Sequence, residues 1–305
     1  MGKIAFLFPG QGAQVTGMGK DFYDELDSAR EIYDIASKAT GIDVADLCFN
    51  PNDNLNITEY TQIALLTTEV AILQVIRNLG IKPDYCAGLS LGEYGALAAA
   101  DVMSNEDLFK VIRKRGLYMQ EAYPVGGAMM AVLGLDAETI KEACDSIDGI
   151  VSIANDNCPG QIVITGEEKA VAAAGELLST KGAKRCIPLK VSGPFHSALL
   201  EGAGKQLADV LKDVEVKDPT VPYICNVEAD VVNSKDNIKE LLAKQVSSPV
   251  RFRESILKLK DLGVTTFVEI GPGKTLAGFI KKTDKDLTVI NVEKIEDLGK
   301  LTATV

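Results

Sequence analysis

The serine of a short glycine-flanked segment is the first candidate for chemistry. Ser90 is the centre of G-x-S-x-G, residues 88–92, between the apolar segment PDYCAG and an alanine-rich segment of helical character. A turn between a strand and a helix exposes such a serine, and the glycines allow two backbones to approach closely. The free N–H groups at the start of the helix would stabilise an oxyanion. The pentapeptide alone arises by chance, but this context favours Ser90 as a nucleophile.

The single histidine of the chain is the candidate base for that serine. His196 lies in KVSGPFHSALLEG, just after a predicted strand and just before a predicted helix. Open α/β sheets place their sites at the carboxyl ends of strands. A lone histidine is usually an ordinary packed or surface residue, but the order serine then histidine fits the pattern of hydrolases. The carbonyl of Gln245, in the last turn of another predicted helix, is suited to accept the Nδ1–H of His196.

Arg115 indicates what kind of substrate such a pair would act on. In a helix predicted over residues 105–121, the arginine shares one face with an apolar stripe, whereas the neighbouring cations occupy the other face. A buried charge is costly unless it is paired, and the guanidinium fork fits a carboxylate with two hydrogen bonds. An internal ion pair would explain Arg115 equally well. Beside a serine and a histidine, a carboxylate-bearing acyl substrate is the sharper hypothesis.

The elements around these residues indicate an α/β protein. Apolar runs alternate with helical patterns, which predicts a hydrolase-like parallel-sheet core covered by helices on both faces. Between residues 125 and 190 the order becomes β-α-β-β-α-β, the ferredoxin-like arrangement. We therefore predict a catalytic core domain from residues 1–124 and 191–305, with a small ferredoxin-like domain of residues 125–190 inserted into it.

Composition restricts the partners. The net charge of −11 argues against nucleic acid or an anionic membrane surface as a general partner. No apolar run is long enough for a membrane helix, and the N-terminal run is too short for a signal peptide, so we expect a cytoplasmic protein. The six cysteines form no C-x-x-C pair and the chain has one histidine, so a metal site is not expected.

The glycine-rich segment FPGQGAQVTGMGK does not match a nucleotide-binding loop. Counting from Gly10, the third glycine of a dinucleotide motif is replaced by Val15. The phosphate-loop pattern fails because Met18 stands where lysine is required. These glycines are better explained by tight turns at the end of a strand.

Several motifs together resemble a known family. GQGAQ, GLSLGEYGAL, KRG, GPFH and EIGPGKTL follow in this order, spread over essentially the whole chain. They resemble the malonyl-CoA:acyl carrier protein transacylases of fatty-acid synthesis, which are related to polyketide acyltransferase domains. The resemblance implies a ping-pong transfer of malonyl from malonyl-CoA to acyl carrier protein, with no cofactor beyond the coenzyme A thioester substrate. We also expect the protein to be a monomer. By the same resemblance, Ser90 would take the acyl group, His196 would be the base and Arg115 would bind the malonyl carboxylate. The main-chain N–H groups of Gln11 and Leu91 would form the oxyanion hole, and the Gln245 carbonyl would orient His196.

One residue departs from the family pattern, and other functions remain open. Leu89 stands where the family usually has a histidine before the serine, which bears on pocket polarity and acyl preference. Phe195 matches malonyl-selective members of the family. The alternatives are a free-standing acyltransferase for polyketide synthesis, a thioesterase or esterase with the same serine and histidine, and a non-catalytic subunit that binds carrier protein. A basic dock for an acidic carrier is expected near Lys184, Arg185, Lys281 and Lys282.

Overall fold

The larger of two sheets is built around β1 (Lys3–Phe8). The computed structural model describes residues 2–191 and 193–304. Six strands lie in the spatial order β10 (Thr288–Val292), β9 (Val264–Ile270), β1, β2 (Tyr85–Gly88), β7 (Tyr223–Ile224) and β8 (Val231–Val232). Neighbouring strands are parallel throughout except for the antiparallel β7–β8 pair. The predicted parallel core is therefore confirmed, whereas the short β8 was not predicted.

The side chains of β1 alternate between two faces of this sheet, and helices cover both. Phe6 and Phe8 pack into one hydrophobic cluster, and Ala5 and Leu7 into another on the opposite face. The helices outside the inserted segment are α1 (Lys20–Glu25), α2 (Asp27–Thr40), α3 (Val44–Phe49), α4 (Thr58–Asn78), α5 (Gly92–Ala99), α6 (Asn105–Ala122), α9 (Glu201–Lys212), α10 (Ile238–Gln245), α11 (Phe252–Asp261), α12 (Thr275–Thr283) and α13 (Leu298–Thr304).

The intervening segment forms a second, antiparallel sheet. Its elements are β3 (Gly127–Leu133), α7 (Ala137–Asp145), β4 (Val151–Cys158), β5 (Gln161–Glu167), α8 (Glu168–Thr180) and β6 (Arg185–Pro188). The strand order is β4-β5-β3-β6, and the two helices share a separate hydrophobic cluster with the sheet. This is the ferredoxin-like arrangement that the sequence predicts. The limits at residues 125 and 190 stay a prediction.

Main-chain hydrogen bonds fasten the small sheet to the core. Val250, just before α11, donates its N–H to the carbonyl of Ala154, and its own carbonyl accepts from the N–H of Asp156. An ion pair of 2.8 Å between Arg253 and Asp156 lies beside them. These contacts hold β4 against the core, so that strands of the small sheet form one wall of the cavity that contains Ser90.

Candidate active site

Ser90 lies at a strained turn between β2 and α5. Its φ of 54° is in the left-handed region, which side chains other than glycine rarely adopt. A Cβ on Gly88 would lie 1.9 Å from the carbonyl oxygen of Gly92, and a Cβ on Gly92 would lie 2.0 Å from the carbonyl oxygen of Phe8. Both glycines are thus required by close backbone contacts, and the turn holds the Ser90 hydroxyl at the end of the strand.

Asn226, a residue that sequence reasoning missed, secures this turn. Its Oδ1 accepts from the N–H of Ser90 at 2.7 Å, and its Nδ2 donates to the carbonyl of Gly88 at 2.7 Å. The side chain is fully buried and follows β7 in the sequence. The sequence carries no local signal that this asparagine lies beside residues some 136 positions away.

The replacement Gly88→Ala is expected to destabilise the protein by about 3 kcal/mol or more, because the new methyl group meets backbone that cannot move aside. Equilibrium unfolding in urea measures this effect. Gly202→Ala is the matched control, since Gly202 lies in α9 with no atom within 4 Å of an added Cβ. That control should be neutral or stabilising by about 1 kcal/mol. Equal stabilities of the two variants would contradict the packing described for the turn.

His196 bridges the serine and the end of α10. Its Nε2 lies 2.7 Å from Ser90 Oγ, and its Nδ1 lies 2.9 Å from the carbonyl oxygen of Gln245. Because a carbonyl only accepts, Nδ1 must carry the proton, and Nε2 is left as the acceptor for the serine hydroxyl. The structure therefore brings together Ser90, His196 and Gln245, in an arrangement suited to withdrawing a proton from the serine.

The environment of His196 keeps its imidazole neutral. Burial lowers the pKa of His196 to about 4, assisted by the positive charge of Arg115 and opposed by main-chain hydrogen bonds. Only 4% of the residue is exposed. The imidazole is therefore ready to accept a proton across the neutral pH range.

Because the chain has one histidine, NMR of the imidazole reports this pKa directly. We expect no protonation of His196 between pH 7 and pH 5.5, whereas an ordinary histidine titrates near about 6.5. In Arg115→Gln the positive charge is gone, so the pKa of His196 should rise. Titration of the wild-type ring near 6.5 would contradict the described burial.

Arg115 extends the site on the other side of the serine. Its guanidinium donates to Gln62 Oε1 at 2.7 Å, to Gln245 Oε1 at 2.9 Å and to Ser90 Oγ at 3.3 Å. It is 1% exposed and lies 5.5 Å from the ring centre of Tyr94. All of these partners are neutral, and none of the ion pairs within residues 2–191 and 193–304 includes Arg115.

The internal ion pair considered from the sequence is therefore absent among the described residues. Burial lowers the pKa of Arg115, although a guanidinium stays charged at neutral pH. A buried cation whose direct hydrogen-bond partners are all neutral retains attraction for an anionic ligand. Gln62 on α4 was not found from the sequence, because a glutamine in an otherwise buried helix carries no distinguishing pattern.

Gln11 and Leu91 line the same cavity as Ser90. Gly10 makes this possible, since a Cβ there would lie 2.5 Å from the carbonyl oxygen of Leu89. No main-chain partner within the described part of the chain accepts from the N–H of Gln11 or of Leu91. Free N–H groups beside a nucleophile are the requirement for binding an oxyanion.

The cavity has a volume of about 230 Å³ and lies between the two sheets. Its walls are mostly apolar, and Leu89 and Phe195 are among the lining residues. Leu89, which stands where the family usually has a histidine, thus adds an apolar side chain to the wall. The remaining lining residues come from the core (Gln62, Met119, Thr275 and Phe279), from the small sheet (Met129, Ala131, Asn155, Asn157, Gln161 and Val163) and from the segment that follows β6 (Leu189, Val191 and His196).

The described residues contain no group of three or more His, Cys, Asp and Glu side chains placed to hold a metal ion. They also include no helix both long and apolar enough to span a membrane.

A serine and a histidine at the strand ends of an α/β sheet, with free N–H groups beside them, define the class of enzymes that form an acyl-serine. Residues 5–303 match the model of the acyl transferase domain. The chain belongs to the acyl transferase family.

Its relatives cover nearly its whole length. It is 50% identical to the malonyl CoA-acyl carrier protein transacylase of Bacillus subtilis, over 98% of this chain and 96% of that protein. The crystal structure of the Clostridium perfringens enzyme of the same name superimposes with a TM-score of 0.95 at 44% identity, covering 99% and 96% of the two chains. A malonyl-transacylase in complex with a type II PKS acyl-carrier protein has a TM-score of 0.96 at 38% identity, covering 99% and 100%.

Proposed function

We propose that this chain transfers a malonyl group from malonyl-CoA to the pantetheine thiol of acyl carrier protein, for fatty-acid synthesis. The observation that carries this proposal is Arg115, a buried cation with neutral partners 3.3 Å from Ser90 Oγ. In a malonyl group on Ser90, one methylene separates the carboxylate from the ester carbonyl carbon. This short spacing would bring the carboxylate to the guanidinium. The names of the relatives support the same substrate and acceptor.

In the first half-reaction Ser90 Oγ attacks the thioester carbon while His196 Nε2 takes the hydroxyl proton. The N–H groups of Gln11 and Leu91 hold the oxyanion of the tetrahedral intermediate. When the carbon–sulfur bond breaks, His196 returns its proton to the coenzyme A thiolate. The carbonyl of Gln245 keeps the imidazole in the tautomer that this exchange needs.

In the second half-reaction the pantetheine thiol, rather than water or coenzyme A, is the acceptor of the malonyl group. His196 withdraws the thiol proton, the sulfur attacks the malonyl-serine ester, and the proton passes to Ser90 as the ester bond breaks. All of these steps use side chains and main-chain groups of this chain, so no resident cofactor takes part. A cytoplasmic location would suit these substrates and, like a monomeric state, remains a prediction.

The test separates transfer from hydrolysis. The protein is incubated with malonyl-CoA in the presence and absence of carrier protein that bears its pantetheine arm, and the products are weighed. Malonyl-carrier, with little free malonate when the carrier is omitted, supports the transferase. Free malonate formed at the same rate with and without carrier would instead identify a thioesterase. If no reaction occurred, the protein would be a non-catalytic subunit that binds carrier protein.

An acidic carrier requires positive charge near the cavity mouth, although the chain as a whole is acidic. Lys282 donates to Gln161 Oε1 at 2.8 Å, and Gln161 lines the cavity. Lys184 and Arg185 are exposed at β6, the edge strand of the small sheet. Lys281 donates to two main-chain carbonyls beyond α12. These four cations form the proposed dock.

Reversing the charge of all four dock residues to glutamate is expected to raise the KM for the carrier about tenfold or more, because long-range attraction between the partners is lost. Acylation by malonyl-CoA, measured without carrier, should change far less. The effect should also shrink at high salt. An unchanged KM for the carrier would refute this dock and leave the rest of the mechanism intact.

A further inference from the structure

Glu93 is a buried acid that the mechanism above does not use. It lies in the first turn of α5, three residues after Ser90, and only 1% of it is exposed. Its Oε2 accepts from Gln245 Nε2 at 2.7 Å and from the main-chain N–H of Asn226 at 3.1 Å. Its Oε1 is buried and has no hydrogen-bond partner within the described residues. A carboxylate in such a place is costly, so its presence calls for a role.

The side chain of Gln245 connects Glu93 to Arg115. Its amide nitrogen donates to Glu93 Oε2 and, at 2.9 Å, to the carbonyl of Ser90. Its amide oxygen accepts from Arg115 at 2.9 Å. The acid and the arginine are therefore linked through one amide group, which has a donor end and an acceptor end.

The two charges permit one orientation of that amide. A carboxylate accepts hydrogen bonds and a guanidinium donates them, so Glu93 requires the nitrogen of Gln245 and Arg115 requires its oxygen. A rotated amide would place a donor against Arg115 and an acceptor against Glu93, and both hydrogen bonds would be lost. A charged hydrogen bond of this kind is among the stronger ones in a protein.

We propose that Glu93 is a positioning residue, which fixes the side chain of Gln245 and through it holds the Arg115 guanidinium where it meets the carboxylate of the acyl group. This role rests on the proposed function, because it concerns the binding of malonyl. Burial raises the pKa of Glu93 to about 7, and hydrogen bonds from Asn226 and Gln245, together with the charge of Arg115, limit the rise. Assays at pH 8 therefore examine the charged acid.

The test compares two acyl donors in Glu93→Gln, which keeps the size of the side chain. The new amide offers both donors and an acceptor, so the orientation of Gln245 is no longer enforced. We expect kcat/KM for acylation of Ser90 by malonyl-CoA to fall about tenfold or more, mainly through KM. The value for acetyl-CoA, which has no carboxylate for Arg115, should change much less, so the malonyl-to-acetyl ratio falls about tenfold.

Two further variants keep the test decisive. Glu269→Gln alters another buried carboxylate, which accepts from the N–H groups of Leu276 and Ala277 and does not contact Arg115. It should leave the ratio unchanged. Gln245→Met removes the connecting amide but keeps the carbonyl that orients His196. It should lower the malonyl-to-acetyl ratio as Glu93→Gln does, and it replaces Glu93→Gln in the test if that variant fails to fold.

Equal losses with both acyl donors, or an unchanged ratio in Glu93→Gln or in the substitute Gln245→Met, would overturn the positioning role. Wild-type protein incubated with malonyl-CoA and carrier protein distinguishes this result from a failure of the proposed function. If the wild type forms no malonyl-carrier, the function itself is wrong. If it does and the ratio in the variants is unchanged, only the role of Glu93 is wrong.

Discussion

His196→Ala is expected to lower the rate of Ser90 acylation by malonyl-CoA about a thousandfold, within the range that a positioned base contributes. The variant lacks the acceptor now 2.7 Å from Ser90 Oγ, and no other histidine exists in the chain to replace it. Arg115 remains in place, so KM for malonyl-CoA should change little. Rapid-quench measurement of the acyl-enzyme gives both quantities.

The loss must be separated from misfolding, since His196 is buried. Circular dichroism and urea unfolding of His196→Ala should show a folded protein of somewhat lower stability. A loss below tenfold in a folded variant would contradict the role of base. A large rise in KM with an unchanged maximal rate would place His196 in substrate binding instead.

Arg115→Ala is expected to lower kcat/KM for malonyl-CoA about a hundredfold, because a two-pronged charged hydrogen bond to the carboxylate is lost. Activity with acetyl-CoA should rise relative to malonyl-CoA, since that acyl group never needed the guanidinium. Truncation also leaves Gln62 and Gln245 without a donor, which should lower the free energy of unfolding by about 1–3 kcal/mol.

Arg113→Ala is the matched control on the same helix. Arg113 pairs with Glu59 at 2.6 Å on the opposite face of α6 and does not contact Ser90. Its loss should affect both acyl donors alike and weakly. If Arg115→Ala lowered the activity with malonyl-CoA and acetyl-CoA by the same factor, a carboxylate clamp would be refuted.

Sequence reasoning located Ser90, His196 and Arg115 because each carries a local signal. The glycines around Ser90 are required by backbone contacts of 1.9 and 2.0 Å, so the spacing reflects a physical need. His196 is the single residue of its type. Arg115 follows an apolar stripe at helical spacing, and such a position faces the interior.

The supporting residues had no such signal. Asn226, Gln62 and Glu93 act through partners between 53 and 152 positions away, and only the packing of whole elements brings them together. The two-residue strand β8 is too short to show a period. Gln11 and Leu91 were assigned from a family resemblance, since free main-chain N–H groups leave no trace in residue types.

The glycine-rich segment after β1 shows what a local sequence pattern can and cannot predict. Its glycines alone do not decide whether the turn binds a phosphate or an oxyanion, because main-chain N–H groups at a turn bind either anion. Gly10 is required by the approach to Leu89, whereas Gly12 and Gly17 have positive φ and no atom within 4 Å of an added Cβ. Only the fold places Gln11 at the cavity that contains Ser90.

The most direct test is the mass of the intact protein after brief exposure to malonyl-CoA. The mechanism predicts the addition of one malonyl group, located on Ser90 by peptide mapping, absent from Ser90→Ala, and removed when carrier protein is added. A malonyl group that remains attached in Ser90→Ala, or that the carrier cannot remove, would contradict transfer through an acyl-serine.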